Sequence, residues 1–230
     1  IRVGGPGGGR SAVQIAAQRR FQSYRDDLVL DTRQIGIALR RLRRLGREGI
    51  ATEVDIDATI DATARNAGDL EVLMCPPREN RLRVLLLMDV GGSMDPYAAL
   101  VSRLFSAAHQ AAHFREFNAY YFHNCVYERV YETARMRRGV SLADLKAQLL
   151  PETRVIFVGD AHMAPYELVS THGAIDYWHQ NERPGLQTLQ GLEDHFERAV
   201  WLNPIPNRYW GHPTISMISE VIDMFELTLS

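Results

Sequence analysis

Four places in this chain set oxygen- or nitrogen-bearing side chains directly after an apolar run. Asp89-Val-Gly-Gly-Ser93, with Asp95 two residues on, follows the run at 82–88. His123-Asn124 follows 117–122, Gly159-Asp160 follows 154–158 with His162 and Glu167 downstream, and Asn203 follows 199–202. Carboxylates thus head two separate clusters. Held side by side and unpaired, Asp89 and Asp160 would repel each other. A hard divalent cation such as Mg²⁺ removes that penalty and takes oxygen ligands. Cation binding is therefore the chemistry these residue types suit. Gly91 and Gly92 allow close approach of backbone to an ion, and the turn they form presents Ser93 beside Asp89.

For these clusters to meet, the runs that precede them must be neighbouring strands pointing the same way. The pattern predicts strands at 82–88, 117–122, 126–131, 154–158 and 199–202. It predicts helices at 96–114, with Pro96 in the first turn, and at 141–150, 186–196 and 214–225, with Ser141 a cap for the second of these. Strands alternating with helices give an α/β fold, a mostly parallel sheet covered on both faces. The strand at 126–131 follows its predecessor too closely for a helical crossover, so it is expected as an antiparallel edge. Ligands of such sheets collect beyond the carboxyl ends of the strands.

The rest of the chain is less informative. With 230 residues, 46% of them hydrophobic, it can bury a sizeable core. Residues 1–27 read as a flexible leader, and its VGGPGGGR lacks both the preceding strand and the GK[ST] of a phosphate loop. Residues 28–79 read as a helical segment. A helix capped by Asp31 is expected to reach Glu48, with Ile35, Leu39, Leu42 and Leu45 on one face and Arg40, Arg41, Arg43, Arg44 and Arg47 elsewhere. A second is expected over 55–65 with Ile56, Ile60 and Ala64 on its apolar side. The main domain is expected over 80–230. A formal charge of −2 gives no global basic field for nucleic acid or membrane surfaces. Two cysteines, Cys75 and Cys125, are too few for a disulfide framework and fit a cytoplasmic protein. No run has the length of a transmembrane helix.

LLLMDVGGSM followed by a helix resembles the metal-ion-dependent adhesion site of von Willebrand factor A (VWA) domains, usually Asp-x-Ser-x-Ser. IFVGD resembles that family's strand ending in its distal aspartate. EVDIDATIDATARNAGDLEVLMCPPRENRLR, WLNPIPNRYW and MFELTLS are similar to segments of CoxE-like proteins. The resemblance implies a Rossmann-like VWA fold and a bacterial, non-enzymatic module that binds Mg²⁺ or Mn²⁺. It implies Asp89, Ser93 and Asp160 as metal residues. A loop hydroxyl would come from Ser141, with Thr133 in reserve. Gly91 stands where the motif has its middle serine, which removes one ligand; Asp95 or water are candidates to fill the gap, and His123, Asn124 and His162 join the rim. A partner protein's carboxylate would complete the ion, and a MoxR-type AAA+ ATPase would be the associated machine, in metalloenzyme maturation or protein remodelling.

Other readings compete. Haloacid-dehalogenase-like phosphohydrolases also end a strand on a nucleophilic aspartate. They need a second acid two residues on, and position 91 is glycine; Lys146 is the only lysine. A vestigial site, or a metal-independent adaptor working through the arginine helix, are the plainer alternatives. His109 and His113 have the helical spacing of a zinc protease, but Gln110 stands where the general base would be. The stretch 171–185, with His172, Asp176, Trp178 and His179, is either a surface loop or a rim that shapes partner choice.

Overall fold

The computed structural model describes residues 45–47, 50–80, 82–110, 114–174 and 181–227. The first of these form short ladders. β1 (Leu45–Arg47) pairs antiparallel with β4 (Arg78–Asn80), and β2 (Glu53–Val54) with β3 (Met74–Cys75). The predicted helix to Glu48 is therefore corrected at its end: Leu45–Arg47 is strand. Gly46 and Gly49 weaken a helix there by roughly 1 kcal/mol each, and Arg78–Asn80 offers the backbone a ladder instead. The rest of that prediction, residues 31–44, lies outside the described residues, as does the leader. The second helix forms as α1 (Ile56–Arg65), and the Asp55 carboxylate accepts from the Ala58 N–H at 3.0 Å as its cap. Its expected apolar side is not buried: Ile56 and Ile60 are 67% and 61% exposed. The side that Thr59 turns to the 70–74 segment, where its hydroxyl accepts from the Leu73 N–H, is the covered one.

The main sheet has seven strands in the order β11-β10-β9-β5-β6-β7-β8. They are β5 (Arg83–Asp89), β6 (Glu116–Phe122), β7 (Arg129–Tyr131), β8 (Gly139–Ser141), β9 (Arg154–Val158), β10 (Arg198–Asn203) and β11 (Asp223–Glu226). From β11 to β6 every pairing is parallel; β7 and β8 are antiparallel additions. This is the expected α/β architecture with two refinements. β7 is antiparallel as predicted, but β8 lies outside it and forms the edge. At the other end, 214–225 is a short helix and then a strand rather than one helix. Ile215, Ile218 and Ile222 are all buried and spaced as a helical stripe, so the pattern runs on through the turn at 220–222 that in fact ends the helix.

Period-two alternation along β5 assigns its side chains to two layers. Leu85 and Leu87 face a core completed by Trp201, Phe157, Phe122 and residues of four helices: α3 (Leu142–Gln148), α4 (Pro165–Val169), α5 (Gly185–Glu193) and α6 (Pro213–Ser219). Leu86 and Met88 face the other way, against Val101, Leu104 and Ala108 of α2 (Ala98–Gln110). A 3₁₀ turn, Gly92–Tyr97, leads into α2, and Pro96 falls in that turn. Parity puts Asp89 on the side of Leu85 and Leu87, above the stacked rings of Phe157 and Trp201, whose centroids are 5.2 Å apart. No described helix is long and apolar enough to cross a membrane.

Candidate functional site

From β5 the chain crosses through α2 to β6 on one side, while β9 and β10 build outward on the other. The boundary between β5 and β9 is thus the sheet's topological switch point, the crevice where open α/β sheets collect ligands. Asp89 ends β5 there, and Gly159-Asp160 continues β9 beside it. Both carboxylates are buried, 1% and 2% exposed. The sheet holds them closely: a Cβ on Gly159 would lie 2.9 Å from the Asp89 Cβ and 3.3 Å from its Oδ2. Glycine is needed at 159 because Asp89 occupies its side-chain space. The Gly159 carbonyl is fixed from below by the Trp201 indole N–H at 2.8 Å, and the Asp160 carbonyl by the Asn203 amide at 3.0 Å. Asp160 Oδ1 accepts from the His162 N–H at 2.9 Å, and Thr214 donates to the Ala161 carbonyl at 2.6 Å. Ala161 itself sits at φ 58°, a left-handed conformation unfavourable for a residue with a Cβ.

A third buried acid joins from α4. Asn124, also left-handed at φ 58°, donates its backbone N–H to Asp89 Oδ1 at 2.9 Å and its side-chain amide to Glu167 Oε2 at 2.8 Å. Glu167, 1% exposed, spends its other oxygen on the Ala164 N–H as part of a helix cap. Burial first, and then the charge of Asp160, raise the Asp89 carboxyl well above its ordinary 3.8; Glu167 adds to the rise, and backbone hydrogen bonds from Asn124 and Val90 oppose it. The same surroundings push the Cys125 thiol up, burial most, then Asp89 and Glu167. Three acidic side chains, Asp89, Asp160 and Glu167, are thus buried together here.

The rim residues have distinct positions. Met94, 1% exposed, anchors the 3₁₀ turn, while Ser93 and Asp95 on either side of it are exposed. Gly91 has φ 155°, and a Cβ there would lie 2.6 Å from Cε1 and 2.7 Å from Nδ1 of His123. That ring is held by a 2.7 Å hydrogen bond from Nδ1 to the Val90 carbonyl. His162 lies 4.6 Å from the His212 ring, centroid to centroid, with its Nε2 buried and without a hydrogen-bond partner. Burial lowers the His212 pKa, with His162 adding to this and Asp160 opposing it.

Two expected hydroxyls are not brought to the crevice. Ser141 sits on β8, three strands from β5 in the sheet order, or roughly 14 Å at the usual strand spacing. Its hydroxyl caps α3, accepting from the Asp144 N–H at 3.0 Å. Thr133 lies in the turn from β7 to β8, which runs back towards the opposite edge, and its hydroxyl accepts from the Arg137 N–H. Glu167 and Asn203, which the sequence places after strands, join the crevice through hydrogen bonds to Asn124 and to the Asp160 carbonyl, and Thr214 joins them through the Ala161 carbonyl. Asn203 had a signal, since it directly follows a strand; Thr214 had none. Of the remaining candidates, His109 packs beside Phe105 and Phe117, whereas His113 lies outside the described residues. In the 171–185 stretch, Asn181 is fully buried and its amide binds the carbonyls of Ser170 and Arg183; Asp176, Trp178 and His179 lie outside the described residues.

A family model described as VWA domain containing CoxE-like protein matches residues 28–150, more than half of the chain. The chain belongs to this family. No curated protein and no solved structure matches it. The family match ends before Asp160, so the pairing of the VWA motif with a distal aspartate rests on the sheet order alone. Among the described residues, no three His, Cys, Asp or Glu side chains are grouped to hold an ion by themselves. The oxygen donors nearest the crevice are of the kind a hard dication takes: two buried carboxylates at neighbouring strand ends, with Ser93 on the adjoining turn. They do not include Ser141.

Proposed function

We propose that this VWA domain is a metal-ion-dependent protein-binding module. The observation that carries the reading is the pair Asp89 and Asp160, buried at neighbouring strand ends where burial and mutual repulsion oppose ionisation of Asp89. Bound Mg²⁺ or Mn²⁺ would offset that repulsion and offer an open coordination position to a carboxylate from outside. Asp89, Asp160 and Ser93 are the residues that would hold it. Asn124 orients Asp89 through its Oδ1, and Trp201 and Asn203 hold the β9 end that carries Asp160. The exposed turn bearing Ser93 and Asp95 is the surface a partner would meet.

The partner is a protein that presents an acidic side chain. On the resemblance to CoxE-like proteins, an AAA+ ATPase of the MoxR type is the expected associate, in metalloenzyme maturation or protein remodelling. The cytoplasm is the compartment this reading takes, and the two buried free thiols, Cys75 and Cys125, agree with it. Calorimetry of the chelator-treated chain tests the proposal. Mg²⁺ or Mn²⁺ should give saturable heat that vanishes in Asp89→Ala, and capture of the ATPase should be lost in EDTA. No heat with either ion supports the vestigial site. Turnover of a phosphate ester that depends on Asp89 supports the phosphohydrolase instead.

A further inference from the structure

None of the ten residues of α1 is buried, and Ile56 and Ile60 stand one turn apart on its exposed side. Nearby, the β2–β3 ladder sets Val54 opposite Met74, both 49% exposed, and Leu70 and Val72 on the approach to β3 are exposed as well. A helix this short is marginal in water unless packing supports one of its faces. Clustered exposed apolar side chains mark a surface that another element occupies. The charge on this layer is one-sided. Residues 50–74 carry Glu53, Asp55, Asp57, Asp61, Asp69 and Glu71 against Arg65 alone, a net −5. Asp57 and Asp61 each follow an isoleucine of the apolar stripe, so they flank it along one side.

One segment of the same chain has the complementary character. Residues 31–44, which lie outside the described residues, place Ile35, Leu39 and Leu42 at helical spacing and carry Arg33, Arg40, Arg41, Arg43 and Arg44 against Asp31, a net +4. The segment runs directly into β1, whose ladder with β4 fixes where it ends. Only residues 48–52 separate β1 from β2, and α1 starts two residues after β2. A link of that length spans at most about 22 Å, so the end of the segment is tethered within reach of α1. Such a tether gives an effective concentration on the order of millimolar, which favours this occupant over a second copy or another protein. We propose that residues 31–44 form an amphipathic helix that docks through Ile35, Leu39 and Leu42 on the exposed apolar face of α1, with its arginines set against the acids that flank that face. The inference is independent of the metal-binding reading. It makes the arginine helix part of the chain's own N-terminal layer rather than a free arm for an acidic partner.

Hydrogen exchange read by mass spectrometry on the full chain tests this. In the natural chain the amides of 56–65 should be protected. Leu39→Asp/Leu42→Asp should speed their exchange by roughly tenfold for each side chain returned to water. The amides of β5 should be unchanged in that variant, which shows that the main sheet is folded. Ile56→Asp/Ile60→Asp, at positions exposed on α1 itself, should in return speed exchange across 31–44. Arg40→Glu/Arg43→Glu should also speed exchange in 56–65, with the difference from the natural chain narrowing in high salt, where charges are screened. Exchange in 56–65 that is already fast in the natural chain, or that Leu39→Asp/Leu42→Asp leaves unchanged, would overturn the inference. Protection that weakens on dilution would overturn it too and make a second copy the occupant.

Discussion

Asp89→Asn isolates the electrostatic burden at the crevice. The substitution keeps an oxygen in place to accept the Asn124 N–H, now at 2.9 Å, and changes volume hardly at all. What it removes is a carboxyl whose folded pKa is raised well above 3.8 by burial and by Asp160. The sign follows from linkage. A raised folded pKa means the folded chain holds the proton that the unfolded chain releases. Stability from this group is therefore complete below pH 3.8 and is lost as pH climbs through the folded value. For a single proton the loss is at most ~1.4 kcal/mol per pH unit. Urea unfolding in EDTA, at intervals from pH 4 to pH 7, should show the variant gaining on the natural chain as pH rises, with a slope no steeper than that. Saturating divalent ion should then shift the balance back towards the natural chain. At a hundredfold excess over Kd it stabilises a binding protein by about 2.7 kcal/mol, and only the natural chain should gain. A stability difference that is flat or falls with pH would refute the reasoning, as would equal stabilisation of both chains by the ion.

Three further outcomes follow from the packing. Ser141→Ala should cost about 0.5–2 kcal/mol through loss of the α3 cap and leave metal affinity unchanged in calorimetry, since its hydroxyl serves Asp144 on the far edge of the sheet. Gly159→Ala sets a Cβ 2.9 Å from that of Asp89; denaturant melts should show a loss of about 1–3 kcal/mol, with metal binding lost as Asp89 is displaced. Trp201→Phe keeps the ring stacked on Phe157 but leaves the Gly159 carbonyl without its indole donor, which should cost about 1–3 kcal/mol in the same melts.

Much of this was legible because strands buried on both sides announce themselves. The run from Val84 to Met88 is continuous and apolar, and the carboxylate that ends it has nowhere to be except the sheet's carboxyl edge. The same logic found Asp160, Asn124 and Asn203. What failed was periodicity at the termini of elements. Ile222 continues the helical stripe of Ile215 and Ile218, so the sequence pattern conceals the break before β11. Leu45 likewise extended an apolar helical face that two glycines interrupt. Chain order says nothing of lateral distance, so the hydroxyl at 141 lies away from the crevice that its place in the sequence suggests: β7 and β8 insert between β6 and α3 and carry Ser141 away from Asp89. The relation between Gly91 and His123 is invisible in sequence, since it depends on two strand ends meeting in register, Asp89 beside Phe122.

The most direct test is an anomalous difference map from crystals of the natural chain soaked in Mn²⁺. The account predicts one strong peak in the crevice within bonding distance of both the Asp89 and Asp160 carboxylates. A fully occupied crystal with no peak there, or with Mn²⁺ bound only elsewhere, would contradict it.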